Sequence, residues 1–360
     1  MKMWALGILL LAVSGIAQAQ NLPLGLYEGL MGNSGVATVN SSAAAYYNPS
    51  LLRQRTDNAF SLNGNTLGTS STRQGDSTFS SSLALGPSYL STILVGTNLV
   101  HELFLATTMQ GQFNWVTQAD AQNFFDAELN INRVVSGYSM AFQSVPLALQ
   151  VLVRYSEVKS FGLAEESNTA TGISSVTKTK TEFKNLNVAL GISTHFQFDH
   201  YTFGINLNTR GIGLYNVDKG SSKKYEHTPT EYKVTESDSG RATVVNEEGK
   251  LIIGHGFRVG NHELLTDSTF VESSGALNRY QFTQSFGYRY GPQEGHQVLC
   301  GISHAFGADV NYFGQSFNSS VGYSWSSGKL RSAIGLYVSR ENTSIDTSNA
   351  GFIFGSEYEY

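Results

Sequence analysis

The sequence predicts an all-β fold: a transmembrane antiparallel β-barrel of about 14 strands with an N-terminal plug segment. Three observations predict it. Apolar and polar side chains alternate with period two through most of the chain. The connections between alternating segments are short and long by turns. Charged residues are only 14% of the 360, against roughly 25% in soluble domains, yet no window beyond the first 19 residues holds ~18 consecutive apolar residues. Helical membrane spans are therefore excluded, and the membrane signal has to come from strands.

Residues 1–19, MKMWALGILLLAVSGIAQA, read as a secretory signal peptide. Lys2 is the positive region, residues 4–13 the apolar core, and Ala17-Gln18-Ala19 the cleavage site. The apolar core is too short to cross a bilayer as a helix. The segment from 20 to 56 does not alternate. Gly29, Gly32, Gly35, Ala37 and Ala43 to Ala45 make it compact, and Asn48-Pro49 is a turn or helix-breaking signal. Attached before the first strand, it is expected to fold into the lumen as a hatch.

Residues 57–360 form the expected barrel. Its clearest strand is 279–290, where Tyr280, Phe282, Phe286, Tyr288 and Tyr290 share one parity and Arg279, Gln281, Thr283, Ser285 and Arg289 the other. The same rule gives 57–66, 78–97, 101–113, 126–143, 147–158, 181–196, 200–213, 250–259, 263–272, 296–306, 317–326, 329–340 and 350–360. Strand 78–97 is counted as one element kinked at Gly86-Pro87, because proline has no N–H for the ladder. Quick returns occur near 98–100, 144–146, 197–199, 260–262, 291–295 and 327–328. The polar stretches 159–180 and 214–249 read as long external loops. An even count puts both barrel ends at the periplasmic rim. A soluble sandwich would alternate similarly, but its strands average ~5–6 residues and its apolar parity is less aromatic.

A Gly-rich run, a small-residue stretch and then AYYNPSLL at 45–52, followed by a barrel, resembles the FadL family of outer-membrane transport proteins. That family places an N-terminal hatch with an Asn-Pro-Ala motif inside a fourteen-stranded barrel. Hydrophobic molecules, fatty acids or aromatic hydrocarbons, leave it sideways through a kinked strand. Asn48 and Pro49 match the motif, and Ser50 replaces the usual Ala. The resemblance implies ligand-path or gating roles for Tyr46, Tyr47, Asn48, Pro49 and Ser50. It also implies a lateral opening at Gly86 and Pro87, and an apolar pocket near the hatch. The chain closes on Phe352, Phe354, Tyr358 and Tyr360, similar to the terminal assembly signal of bacterial outer-membrane barrels.

The expected location is therefore the bacterial outer membrane. The expected partners are hydrophobic small molecules, outer-membrane lipid and lipopolysaccharide, and the barrel-assembly machinery; homo-oligomers stay open. Arg210, Arg279 and Arg289 share the polar parity and are candidates for the lumen, since arginine facing lipid at the midplane costs ~2–4 kcal/mol. Such a charged lumen keeps a second reading open, a porin-like or structural barrel of the same fold. Histidines 101, 195, 200, 255, 262, 296 and 304 are scattered without metal-ligand spacing and read as solvated. No Ser/His/acid motif, phosphate loop or cofactor motif is present. The single cysteine, Cys300, excludes a disulfide framework, and a net charge of −5 argues against nucleic acid. Neither a metal nor a cofactor nor an enzyme activity is expected.

Overall fold

The computed structural model describes residues 24–25, 27–37, 43–74, 77–81, 86–120, 123–168, 171–239, 246–274, 279–292, 295–309, 312–342 and 346–360. The expected signal peptide lies outside the described residues. The chain forms one closed antiparallel barrel of 14 strands. The first seven are β1 (Ala59–Gln74), β2 (Ser77–Ser81 and Gly86–Val95), β3 (Leu99–Asp120), β4 (Asn123–Phe142), β5 (Leu147–Asn168), β6 (Ile173–Gln197) and β7 (Tyr201–Asn208 and Ile212–His227). The second seven are β8 (Tyr232–Ser239 and Asn246–Val259), β9 (His262–Ser274), β10 (Arg279–Tyr290), β11 (His296–Asp309), β12 (Tyr312–Ser327), β13 (Leu330–Asn342) and β14 (Asp346–Glu359). Each strand pairs with its neighbour in sequence, and β1 closes on β14 from Ala59↔Glu359 to Arg73↔Asp346. The even count brings both barrel ends to one rim, where the Tyr360 N–H donates to the Asn58 carbonyl at 2.9 Å.

Closure of β1 on β14 removes the terminal sheet edges, so along the paired ladders strands can present apolar side chains outward without an unpaired backbone beside them. Leu62, Leu103, Phe286, Val321, Ile334 and Phe352 are all exposed on the outer face. The buried residues of the opposite parity are largely polar: Ser61, Asn63, Ser139, Gln150, Asn206 and Ser324. This inverts the arrangement of a soluble domain and is the pattern of a barrel solvated by lipid.

The rim that carries the chain ends has short turns. Two are tight Gly-X corners, with Gly260 at φ 60° and Gly328 at φ 58°, the left-handed conformation that two-residue hairpins require. At the other rim the structure corrects the loop expectation. Residues 159–168 and 173–180 continue β5 and β6 as one ladder, Lys159↔Glu182 through Asn168↔Ile173. Most of 214–249 likewise lies in β7 and β8, paired from Gly220↔Ser239 to His227↔Tyr232. Both hairpins are mostly polar, with scattered exposed apolar side chains such as Phe161, Ile173, Tyr232 and Val234, so no continuous apolar parity marks them. Alternating threonine and lysine (VTKTKT, 176–181) still favours extended backbone. Glu157 holds Lys159 of its own strand at 2.7 Å and Lys184 at 3.4 Å across the β5–β6 pair.

Candidate functional site: the hatch and the wall around it

The described residues between Leu24 and Gln54 lie in the lumen. They include a 3-10 turn at Gly29–Met31, a short helix at Ala44–Tyr47 and a second 3-10 turn at Pro49–Gln54. Leu24, Leu30, Met31, Val36, Ala43 to Ala45, Leu51 and Leu52 are buried. The wall makes room for it with glycines on the inward parity. A Cβ added to Gly204, Gly254, Gly287, Gly301, Gly322 or Gly335 would fall closer than 3.0 Å to hatch atoms of Leu30, Met31, Gly32, Ser34, Val36 or Asn48. These six form three cross-strand pairs, Gly204↔Gly254, Gly287↔Gly301 and Gly322↔Gly335. Bare backbone on both members of each pair lets the hatch lie directly on the sheet.

Hydrogen bonds fix the hatch in register with the wall. On β9, Asp267 Oδ2 accepts from the Gly35 N–H at 2.6 Å and the Val36 N–H at 3.0 Å. Asn206 on β7 donates to the Tyr47 carbonyl at 2.8 Å, and Gln150 on β5 donates to the Ala45 carbonyl. Arg55, just after the hatch, is bidentate to Glu357 on the closing strand, at 2.8 and 3.1 Å. Arg331 extends this to a four-member cluster by reaching Glu359 at 3.0 Å.

Asn48, Pro49 and Ser50 form the pivot of this arrangement. Asn48 Nδ2 donates to the Val36 carbonyl at 2.7 Å and to the Thr194 carbonyl of β6 at 3.2 Å. Its Oδ1 caps the following turn, accepting from the Ser50 N–H at 3.2 Å and the Ser50 hydroxyl at 2.6 Å. Pro49 occupies the first helical position, where its missing N–H costs nothing. Ser50 thus supplies a hydroxyl bond to Asn48 that an alanine would lack, and its N–H also meets Ser193 Oγ at 3.0 Å. The triplet ties hatch to hatch and hatch to β6.

Tyr46 and Tyr47 face different surroundings. Tyr47 is buried and donates to Asn33 Oδ1 at 3.1 Å. Tyr46 is half-buried, edge-on to Tyr47 at 5.2 Å and to Phe104 at 6.3 Å, with Lys250 Nζ 5.6 Å from its ring centre. Phe104 in turn stacks on Tyr89 at 5.6 Å. Sequence reading missed Phe104 and Tyr89. Their signal is an aromatic on the inward parity of β2 and β3, where neighbouring inward residues are small or polar.

Tyr89 sits beside the wall irregularity expected at Gly86-Pro87. The β1–β2 ladder pairs Asn63↔Tyr89 and then Gly64↔Pro87, skipping Ser88, which is a bulge. On the other side, the described β2–β3 ladder ends at Tyr89↔Ala106, while β3 runs on to Asp120. The aromatic cluster Tyr46–Phe104–Tyr89 therefore runs from the lumen to the bulge.

Above the hatch lies a cavity of about 70 Å³. That is roughly half of the ~150 Å³ that holds a benzene in an engineered protein cavity. The expectation of an apolar pocket is corrected here. Leu24, Tyr46, Ile252 and Ala305 touch the cavity, but most of its wall is hydroxyl and amide side chains such as Thr283, Ser303, Gln281 and Asn318. Those residues occupy the inward parity of β10, β11 and β12.

The three arginines separate. Arg289 faces inward, buried, and pairs directly with Glu263 across β9–β10. Arg210 follows the end of the first β7 segment and leans over Gly249 to pair with Glu272. It is exposed, and lines an open apolar cleft with Leu207, Phe270 and Phe282 rather than the lumenal cavity. Arg279 opens β10 opposite Ser273. His195 is not solvated: it is buried, with Nδ1 3.1 Å from the hatch residue Gln54. No group of three or more His, Cys, Asp or Glu among the described residues is arranged to hold a metal.

One carboxylate is out of place by this logic. Glu28 is fully buried within the hatch, beside Gly25, Gly35 and Ala43. Burial pushes its carboxyl up to about 8, with the Glu357 charge adding to the shift and nearby backbone N–H groups and Arg55 opposing it. Burial thus favours the neutral carboxyl in the seated hatch.

Neither a family model nor a curated protein sequence matches the chain. Solved structures do. The monoaromatic hydrocarbon channel CymD aligns with a TM-score of 0.66 at 12% identity, covering 95% of this chain and 99% of that one. The Ralstonia pickettii toluene transporter TbuX aligns at 0.64 and 12%, covering 94% and 99%. A Pseudomonas aeruginosa FadL homologue aligns at 0.64 and 12%, covering 95% and 99%. This chain has their fold. The likeness spans both chains almost end to end.

Proposed function

We propose that the protein carries small hydrophobic molecules across a bacterial outer membrane, by lateral release through its wall. The observation that carries this reading is the seated hatch. It is bonded to β5, β6, β7 and β9 and pressed onto three glycine pairs, so the straight path along the barrel axis is blocked. A bulged wall strand lies beside it, reached through Tyr46, Phe104 and Tyr89. An apolar solute gains at each step by leaving water for aromatic surface and then for the bilayer. The fold shared with hydrocarbon and toluene channels supports the same cargo class. The cavity at rest is about half the size of one that holds a benzene, so passage is expected to involve movement of the hatch or its aromatic neighbours.

The test is uptake of labelled toluene by cells expressing the protein, against cells expressing Tyr89→Ala and Phe104→Ala variants. Faster accumulation than in empty cells, reduced by either substitution, is expected. Accumulation equal to empty cells contradicts the proposal.

A second reading rests on the polar cavity wall. Thr283, Ser303, Gln281 and Asn318 suit a hydrogen-bonding solute, which favours a porin-like barrel. Uptake of a small sugar at a rate exceeding that of toluene would select it.

A further inference from the structure

Four histidines that look scattered in the sequence form one repeated structure. His101 on β3 lies 2.7 Å from the Tyr138 hydroxyl on β4. Tyr201 on β7 lies 2.7 Å from His255 on β8, and His262 on β9 lies 2.7 Å from Tyr288 on β10. His296 on β11 pairs with Tyr323 on β12 in the same way. Every pair joins histidine Nδ1 to the phenol oxygen. Each is also a diagonal cross-strand neighbour, one step off the direct partners Leu103↔Tyr138, His255↔Phe203, Leu264↔Tyr288 and Val298↔Tyr323.

All eight side chains have the outward parity, and all lie at the rim of short turns. Tyr201, His262 and His296 are the first residues of their strands, and His101 is the third. Their partners fall within the last five residues of the returning strands. Apolar outward residues follow directly beyond them, including Leu103, Phe203, Leu264 and Val298, with Phe257 and Val259 on the rim side. Rings of Phe257, Tyr290 and Trp325 pack around the pairs at 5.0 to 6.1 Å. The pairs therefore stand at the boundary where the apolar band meets water, which is where amphipathic rings meet lipid headgroups.

We infer that these Tyr–His pairs are a collar that binds the phosphate of phospholipid headgroups in the periplasmic leaflet. With the phenol hydroxyl as the donor to Nδ1, the ring proton resides on Nε2. In that tautomer each imidazole is a donor on its free edge at headgroup depth, where the phosphodiester oxygens are the charged acceptors. A hydrogen bond to a charged acceptor is among the stronger kinds. Solvation alone would not place the same contact at the same height on four hairpins. The inference rests on the barrel lying in a membrane with phospholipid at that rim, and not on what it transports.

The test measures lipid retained by the purified full-length protein in detergent, by native mass spectrometry. The probes are dioleoyl phosphatidylglycerol and dioleoylglycerol, which share acyl chains and differ in the phosphate. The wild type is expected to retain the phospholipid with a preference of about tenfold. Replacing His101, His255, His262 and His296 together by Phe keeps four rings and removes four donors, and is expected to bring the preference near unity. Heat-modifiable gel migration checks that the variant barrel is folded; if it is not, His262→Phe alone is used, with a smaller loss expected. Equal retention of both probes by the wild type overturns the inference. So does an undiminished preference in a folded variant.

Discussion

Replacing Asn48 with alanine should unseat the hatch while leaving the barrel intact. The side chain makes four hydrogen bonds, at 2.6, 2.7, 3.2 and 3.2 Å, two within the Asn-Pro-Ser turn, one to Val36 and one to the wall at Thr194. A buried intramolecular hydrogen bond contributes ~1 kcal/mol net, and loss of a helix cap costs a similar amount. The two carbonyls left behind gain no new donor from alanine. The total is about 3 kcal/mol, or roughly a hundredfold shift in the equilibrium between seated and open hatch. None of this falls on the ladders that close the barrel. Hydrogen exchange read by mass spectrometry separates the two: amides of residues 43–54 should exchange roughly a hundredfold faster, while β9 to β14 stay unchanged. Ser50→Ala removes only the hydroxyl bond and should give a fraction of that effect. Unchanged protection of the hatch in Asn48→Ala would refute the reasoning that this residue anchors it.

The other anchors give separate outcomes. Gly301→Val places a Cβ against the backbone of Met31 and Gly32, so the hatch should be expelled and become open to trypsin at Arg53 and Arg55 while the barrel keeps its folded gel mobility. Asp267→Ala leaves the Gly35 and Val36 N–H groups without their acceptor, at a cost of about 2–4 kcal/mol, and should speed exchange across residues 33–37; Asp267→Asn, which keeps an oxygen, should do far less. Glu28 has its seated-state value raised above its value in an open, hydrated hatch. Seating is then favoured fully at low pH and weakens as pH rises from the ordinary carboxylate range through about 8. Proteolysis of the hatch should therefore be faster at pH 9 than at pH 5, and Glu28→Gln should reduce that difference, leaving the part carried by the buried wall carboxyls of Asp267 and Glu102.

Much of the barrel was legible because lipid outside and polar side chains inside enforce strict period two. The strands around 201–207, 279–290 and 321–326 were found at the right parity for that reason. The hairpin extensions at 159–180 and 214–249 were read as loops, because a ribbon solvated on both faces has no apolar face to betray it. Only the alternating Thr and Lys of 176–181 hinted otherwise. The hatch was located by its small residues, but its seat was not. Gly204 pairs with Gly254, and Gly287 with Gly301, only once the register is known, and a single inward glycine in a strand is an ordinary sight. The cavity teaches the opposite lesson. Gln281, Thr283 and Ser285 already carried the inward parity in the sequence, whereas the apolar pocket came from family resemblance. The residues were the better guide to the wall. The Tyr–His pairs were invisible because each partner lies on a different strand, tens of residues apart.

The central claim, a lumen sealed by its hatch, is tested most directly by planar-bilayer conductance of the purified protein. The account predicts no steady open channel from the wild type, and frequent openings from Gly301→Val in the same preparation. Large, steady conductance from the wild type, unchanged in that variant, would contradict it.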